Sequence, residues 1–112
     1  MANEIVFYVT DRGEFPVLEF LLALSDKERA KCVQYIDALA EHGNALPANY
    51  VKHLEQGVWE LRPEFGGTEF RLFYFTVIEN SFVMLHAIKK KTRSIPRREI
   101  ELAIKRMKEV KQ

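Results

Sequence analysis

Arginine and lysine side chains recur in three short segments in the second half of the chain. Arg62 ends the stretch VWELR at residues 58–62, Arg71 lies within FRLFYF at residues 70–75, and a lysine run occupies residues 89–91. Such cations bind phosphate, because guanidinium and ammonium groups donate charge-assisted hydrogen bonds to anionic oxygens. If neighbouring strands carry these segments, a small sheet gathers them into one cationic site for RNA or DNA phosphate.

The net charge of +1 hides an uneven distribution along the chain. Residues 1–57 carry 5 basic and 9 acidic side chains, residues 58–85 carry 2 and 4, and residues 86–112 carry 10 and 3. A polyanion is therefore expected to meet the C-terminal quarter, while the acidic N-terminal half faces away or binds something else. A solvated basic helix explains the same C-terminal charge without any ligand.

The composition is that of one globular domain. With 112 residues, of which 47% are hydrophobic and 29% charged, we expect a single domain over residues 1–112. The longest apolar stretch, residues 15–24, is too short to span a bilayer, and the N-terminus lacks the basic region of a signal peptide. The single cysteine, Cys32, cannot form an intramolecular disulfide. These features predict a cytoplasmic protein with no membrane partner.

The N-terminal half predicts one strand and two helices. A β-branched run at residues 5–9 indicates a strand, and Pro16 suits the first turn of a helix over residues 17–24. Ser25 and Glu28 form the capping-box pattern of a second helix, whose apolar positions include Val33 and Ile36 and which Gly43 ends. The two helices are expected to form a hairpin.

The C-terminal half predicts three strands and a helix. Aromatic and β-branched residues indicate strands near 58–63, 68–78 and 82–88, with turns at 64–67 and at Asn80. Pro96 opens a last helix with an apolar stripe at helical spacing. The predicted class is therefore α+β: a small mixed or antiparallel sheet of about four strands, with an N-terminal helical hairpin and a C-terminal helix, in the order β-α-α-β-β-β-α.

A four-residue loop at 64–67 would decide which side chains share a face of the sheet. It pairs Leu61 with Phe70 and Glu60 with Arg71, so that apolar and charged side chains separate. The core face then holds Trp59, Leu61, Phe70, Leu72 and Tyr74, and the other face holds Glu60, Arg62, Glu69 and Arg71. With a two-residue loop near Asn80, His86, Ile88 and Lys90 join the face of Arg71. Two cross-strand ion pairs in water, worth at most about 1 kcal/mol each, explain the four charges equally simply.

No metal or nucleotide cofactor is predicted. His42, His53 and Cys32 have no partners at the spacing of a zinc site. The Gly66-Gly67 pair lacks the lysine and the serine or threonine of a phosphate-binding P-loop.

Four motifs in order resemble the HigB branch of the RelE/ParE toxin superfamily, including its phage-derived members. They are GVWELR at residues 57–62, FRLFYF at 70–75, LHAIKKKT at 85–92 and IPRREI at 95–100. The resemblance covers nearly the whole chain. It implies a RelE-like fold and the toxin of a type II toxin–antitoxin system, neutralised by an antitoxin with a helix-turn-helix DNA-binding domain.

The resemblance also implies an activity. RelE-like and HigB-like toxins are endoribonucleases that cut mRNA on the ribosome without metal, by attack of the RNA 2′-hydroxyl on the adjacent phosphate. The expected partners are therefore the ribosome, mRNA and the antitoxin, with DNA bound only through the antitoxin. The superfamily also contains gyrase-inhibiting ParE members, so a non-enzymatic toxin, or an inactive homologue kept as a binding or repressor partner, is the alternative.

The resemblance assigns site residues by position. Arg62 and Arg71 match the two strand arginines, and Lys90, with Lys89 or Lys91, matches the family's lysine pair. No C-terminal tyrosine follows Tyr74, so His86 is the candidate base, with a partly buried sheet histidine as the alternative. The expected catalytic set is Arg62, Arg71, Lys90 and His86, and the expected RNA-binding or phosphate-binding set is Lys89, Lys91, Arg93 and Arg97.

Overall fold

The computed structural model describes residues 3–77 and 81–112, which form three helices and one sheet of six strands. In chain order the elements are β1 (Glu4–Phe7), α1 (Pro16–Leu22), α2 (Asp26–His42), a short 3₁₀ turn (Gly43–Ala45), β2 (Val51–Glu55), β3 (Val58–Leu61), β4 (Glu64–Phe65), β5 (Thr68–Val77), β6 (Ser81–Lys90) and α3 (Arg97–Lys111). The α+β class and the three helices are confirmed. The sheet has more strands than the four that were expected.

The helix ends follow the sequence signals. The Ser25 side chain accepts a hydrogen bond from the Glu28 N–H, and the Glu28 carboxylate accepts one from the Ser25 N–H, which completes the capping box of α2. Gly43 ends that helix with a positive φ of 61°, which glycine adopts without strain. Pro96 stands just before α3, as predicted.

The sheet is mixed, with the strand order β1-β6-β5-β3-β2, and β4 pairs with β5 outside this path. β1 runs parallel to β6, and the other pairs are antiparallel. β2 was not predicted. Its sequence VKHLE does not alternate between apolar and polar residues, and a register shift between His53 and Glu55 interrupts its pairing with β3.

The predicted register of the β3–β5 hairpin is wrong by two residues. Leu61 pairs with Leu72 rather than with Phe70, because Phe65 pairs with Thr68 and only Gly66 and Gly67 form the turn. Both glycines have positive φ angles, 58° and 81°, as a two-residue hairpin turn requires. A shift of two residues keeps every side chain on its predicted face.

The β5–β6 pair contains a β-bulge. Tyr74 pairs with Met84, but the adjacent Phe73 pairs with His86, which leaves Leu85 as an extra residue on β6. The Leu85 carbonyl accepts a hydrogen bond of 2.9 Å from Arg106 of α3. Beyond the bulge, Ile88 pairs with Arg71 and Lys90 with Glu69, so that His86, Ile88 and Lys90 share the face of Arg71, as predicted. The predicted turn at Asn80 lies outside the described residues.

Helices cover both faces of the sheet. α1 and α2 pack on the face that carries Leu61, Phe70, Leu72 and Tyr74, with Trp59 partly buried at its edge. In α2 the buried stripe contains Cys32 and Ile36 rather than Val33, whose exposure is 39%. α3 packs on the opposite face through Ala103, Ile104 and Met107. Of the helices in the described ranges, none has the length and apolar composition that crossing a bilayer requires.

Candidate active site

A cationic pocket of about 280 Å³ lies between the charged face of the sheet and the start of α3. β2, β3, β5 and β6 and the segment before α3 all contribute to its wall. Its polar and charged lining side chains are Lys52, Glu60, Arg62, Arg71, Lys90, Arg93 and Ser94. Five of these are cationic and one is acidic, an excess of four positive charges. The pocket thus has the charge of an anion-binding site.

Glu60 is the buried centre of this pocket. It lies on β3, where its neighbours Trp59 and Leu61 face the opposite core, and it is only 2% exposed. Its Oε2 atom is 3.2 Å from Arg62 Nε and 3.5 Å from Arg71 Nε. Arg71 of β5 and Arg62, which directly follows β3, therefore converge on one carboxylate oxygen.

Besides its contact with Glu60, Arg71 forms two hydrogen bonds. Its Nη1 donates a hydrogen bond of 2.8 Å to the Phe70 carbonyl, and its Nη2 donates one of 2.8 Å to Glu69 Oε1. Lys90 Nζ lies 3.8 Å from the same Glu69 oxygen. The hydrogen bond from Arg71 lowers the pKa of Glu69, with a smaller effect from Lys90. Arg62, Arg71 and Lys90 are thus linked through two carboxylates.

The buried pair leaves hydrogen-bonding capacity unused. Within the described part of the chain, neither Glu60 Oε1 nor Arg71 Nε has a hydrogen-bond partner. Burial raises the pKa of Glu60, although Arg71, Arg62, Lys52 and Lys90 act in the opposite direction. An acceptor and a donor without hydrogen-bond partners, on two residues that line one pocket, are the polar groups that a bound ligand would satisfy.

His86 does not line this pocket. Its Nε2 atom is 2.7 Å from Glu99 Oε1 of α3, and its ring stacks on Phe73 with centroids 5.7 Å apart. Burial lowers the pKa of His86, and the contact with Glu99 opposes that effect. These contacts fit the partly buried sheet histidine, and a catalytic role of His86 stays a prediction.

The expected phosphate-binding residues are divided among different surfaces. Arg93 lines the pocket, whereas Lys91 is exposed beside it in a shallow groove with Glu69 and Lys90. Lys89 points to the other side of β6, where its Nζ is 3.6 Å from Glu28 of α2. Arg97 forms a bidentate ion pair with Glu55 of β2, at 2.5 and 2.7 Å. The Glu55 carboxylate raises the pKa of Arg97.

Of the charged side chains that line the pocket, sequence reasoning did not include Lys52, because Lys52 lies on the strand that was not predicted. It placed Glu60 on the charged face but gave it no chemical role. Residues 93–95 and Ile100 of α3 line the same pocket as Glu60, and no local pattern reveals this proximity. Across residues 3–77 and 81–112, no group of three or more His, Cys, Asp or Glu side chains is arranged to hold a metal ion.

Comparison with known families matches most of the chain. A family model described as "Phage derived protein Gp49-like (DUF891)" matches residues 19–108, from α1 through most of α3. No curated protein shows a significant match to the sequence. Because the family model spans well over half of the 112 residues, the chain belongs to the Gp49-like family of phage-derived proteins, a RelE/HigB-like toxin family.

Proposed function

We propose that this protein is the toxin of a type II toxin–antitoxin pair, of the HigB branch, and that it cleaves mRNA on the ribosome. One observation supports this most strongly. Arg62, Arg71 and Lys90, which come from three different segments, line one pocket with Arg93. A cleavage site needs such convergence, whereas non-specific attraction of RNA needs only a diffuse basic surface.

The proposed reaction needs no metal. The RNA 2′-hydroxyl attacks the adjacent phosphate, the bond from phosphorus to the 5′-oxygen breaks, and a 2′,3′-cyclic phosphate and a 5′-hydroxyl end remain. Negative charge accumulates on the phosphoryl oxygens as the 2′-oxygen attacks. Arg62 and Arg71 stabilise this charge through their N–H groups, and Lys90 and Arg93 hold the flanking backbone.

The proposed partners follow from the same site. The basic C-terminal quarter, with 10 basic and 3 acidic side chains in residues 86–112, meets ribosomal RNA and message. A helix-turn-helix antitoxin keeps the toxin inactive in its host. The antitoxin surface is acidic where it contacts Lys91 and Arg93, because desolvated like charges would repel it.

Mapping of RNA 5′ ends after brief induction tests this function. The wild-type protein should produce new 5′-hydroxyl ends on ribosome-bound messages, paired with cyclic phosphates. Arg62→Gln should remove these ends, because it deletes one of the two guanidinium groups that face the phosphate. Arg12→Gln is the charge-matched control, since Arg12 is exposed in the turn after β1 and does not line the pocket. Growth arrest without new RNA ends would contradict the proposal.

One observation favours the alternative, a non-enzymatic toxin or an inactive binding partner. Arg71 is already hydrogen-bonded to Glu69 and paired with Glu60, so these charges partly neutralise each other without a ligand. A structural ion network of this kind predicts that Arg62→Gln leaves the cellular effect unchanged. Gyrase-dependent DNA breaks in place of RNA ends would identify a ParE-like mode of action.

A further inference from the structure

We infer that Glu60 is the general base of the proposed RNA cleavage, accepting the proton of the attacking 2′-hydroxyl at Oε1. This inference rests on the proposed function and identifies the group that handles the proton. Glu60 is the one carboxylate among the side chains that line the cationic pocket in the described part of the chain. The other charged lining groups are the basic side chains Lys52, Arg62, Arg71, Lys90 and Arg93.

The two oxygens of Glu60 have different environments. Oε2 is paired with both arginines, at 3.2 and 3.5 Å, and this fixes the orientation of the carboxylate. Oε1 has no hydrogen-bond partner among the described residues and little contact with solvent. A buried carboxylate oxygen without a donor binds a proton more readily than one in water. Burial accordingly raises the pKa of Glu60 towards the working pH of a general base.

A bound phosphate competes with Glu60 for the arginines. The Arg62 side chain is 31% exposed, and apart from Glu60 its one hydrogen-bond partner in the described structure is the Ala48 carbonyl, at 3.2 Å. It can therefore turn its guanidinium towards a phosphate, which accepts two parallel N–H bonds. This movement uncovers Glu60 and removes one of its counter-charges. Substrate binding thus makes the carboxylate both accessible and more basic.

Other proton-transfer groups are engaged elsewhere. His86 Nε2 is bonded to Glu99, and the imidazole lies against Phe73 outside the pocket. The Tyr74 hydroxyl donates a hydrogen bond of 2.7 Å to Asn44 on the opposite face of the sheet. Glu69 accepts a hydrogen bond from Arg71, and this contact lowers the pKa of Glu69, which makes it a weaker base.

Glu60 and Lys90 together account for both proton transfers of the step. As the 2′-oxygen bonds to phosphorus, its proton passes to Glu60 Oε1. As the bond to the 5′-oxygen breaks, that oxygen takes a proton from the Lys90 ammonium. Glu60 then releases its proton to water and Lys90 regains one from water, so the protein returns to its starting state.

Glu60→Gln tests the inference, because glutamine keeps the shape of glutamate but cannot accept the proton. Single-turnover cleavage on message-programmed ribosomes should fall about 100-fold or more, the usual effect of a lost general base. Binding to ribosomes that carry a 2′-deoxy message, which cannot be cleaved, should be unchanged or tighter, since a negative charge has left the pocket. Glu64→Gln is the matched control, because Glu64 is an exposed glutamate of β4, and its cleavage rate and binding should equal those of the wild type.

A positioning role predicts a different result. If Glu60 only holds Arg62 and Arg71 in place, Glu60→Gln weakens binding and cleavage in parallel, and this overturns the inference. A cleavage rate within about threefold of wild type also overturns it. If Glu60 is the base, Glu60→Asp should cleave faster than Glu60→Gln without binding more tightly, because it restores a carboxylate.

The wild-type pH profile provides a test that needs no variant. The acidic limb of the cleavage rate should have an apparent pKa above that of an ordinary glutamate, and this pKa should hardly change with temperature, as for carboxylic acids. A limb whose pKa falls clearly on warming indicates an imidazole and transfers the role to His86. If the wild-type protein leaves no cyclic phosphate at all, the proposed cleavage fails and the base assignment fails with it.

Discussion

Arg71→Ala should destabilise the protein strongly at neutral pH, because it leaves Glu60 as a buried charge with one partner. Glu60 is 2% and Arg71 3% exposed, so water cannot replace the lost guanidinium. Breaking a buried ion pair from one side costs about 3–5 kcal/mol. Since Arg62 still contacts Oε2, the lower value of about 3 kcal/mol applies.

This loss converts into a large shift of the melting temperature. At about 2.1 cal/mol/K per residue, the 112 residues unfold with an entropy of about 0.24 kcal/mol/K, so about 3 kcal/mol lowers Tm by about 13 °C. Thermal unfolding followed by circular dichroism at pH 7 measures this shift. Arg62→Ala is the matched control: it removes a partner of the same oxygen, but from a side chain that is 31% exposed, and should lower Tm by about 4 °C.

Lowering the pH should reduce the loss of stability in Arg71→Ala. The pKa of Glu60 is raised in the folded protein, so the folded state binds this proton more tightly than the unfolded state. Stability from such a group is fully present below its unfolded pKa and is lost as pH rises through its folded pKa. The Tm difference between Arg71→Ala and wild type should therefore narrow from pH 7 to pH 5, and adding Glu60→Gln should recover most of it. Two results would refute a desolvated charge at Glu60. One is a Tm loss for Arg71→Ala at pH 7 that is no larger than the loss for Arg62→Ala, and the other is a Tm loss that does not change with pH.

Three further predictions concern the core, the charge and the thiol. Ile104→Asp buries a carboxylate at a position that is 6% exposed, so it should cost at least about 3 kcal/mol; an unchanged Tm would show that α3 is not docked. Affinity for ribosomes carrying a 2′-deoxy message should fall steeply with salt, about 0.7 log units per log unit of salt for each phosphate contact; a flat dependence would indicate an apolar interface. Burial raises the pKa of Cys32 to about 11, so a disulfide reagent at pH 8 should label it only after unfolding. Rapid labelling of the folded protein would contradict this burial.

The sequence predicted the faces of the sheet better than its pairing. Arg62 and Arg71 lie on one face in any register that shifts by an even number of residues, so a wrong turn length did not misplace them. β2 was missed because its packing comes from β3 and from Arg97 of α3, which pairs with Glu55, rather than from its own periodicity.

The candidate site was predicted only in part, for a related reason. The sequence identified its cations, because charge is visible residue by residue. Glu60 shares its pocket with residues from several segments, and His86 lies outside that pocket in contact with Glu99 of α3. Contacts between elements so distant in the chain produce no local sequence pattern from which they could be predicted.

The extra residue on β6, Leu85, divides that strand into two halves, and each half has its own pairing register. The first half pairs with the parallel strand β1, and the second half carries Lys90 to the pocket. Loss of Leu85 itself would close the bulge and leave Lys90 opposite Glu69. Loss of one residue between the bulge and Lys90 would turn Lys90 towards α2, whereas loss of two there would keep its direction and shorten its reach. The segment between the bulge and Lys90 can therefore change in length only by an even number of residues, even where the residue types are free to vary. Alignments of family members should show gaps of even length there, and Arg106, which holds the bulge, should be retained together with it.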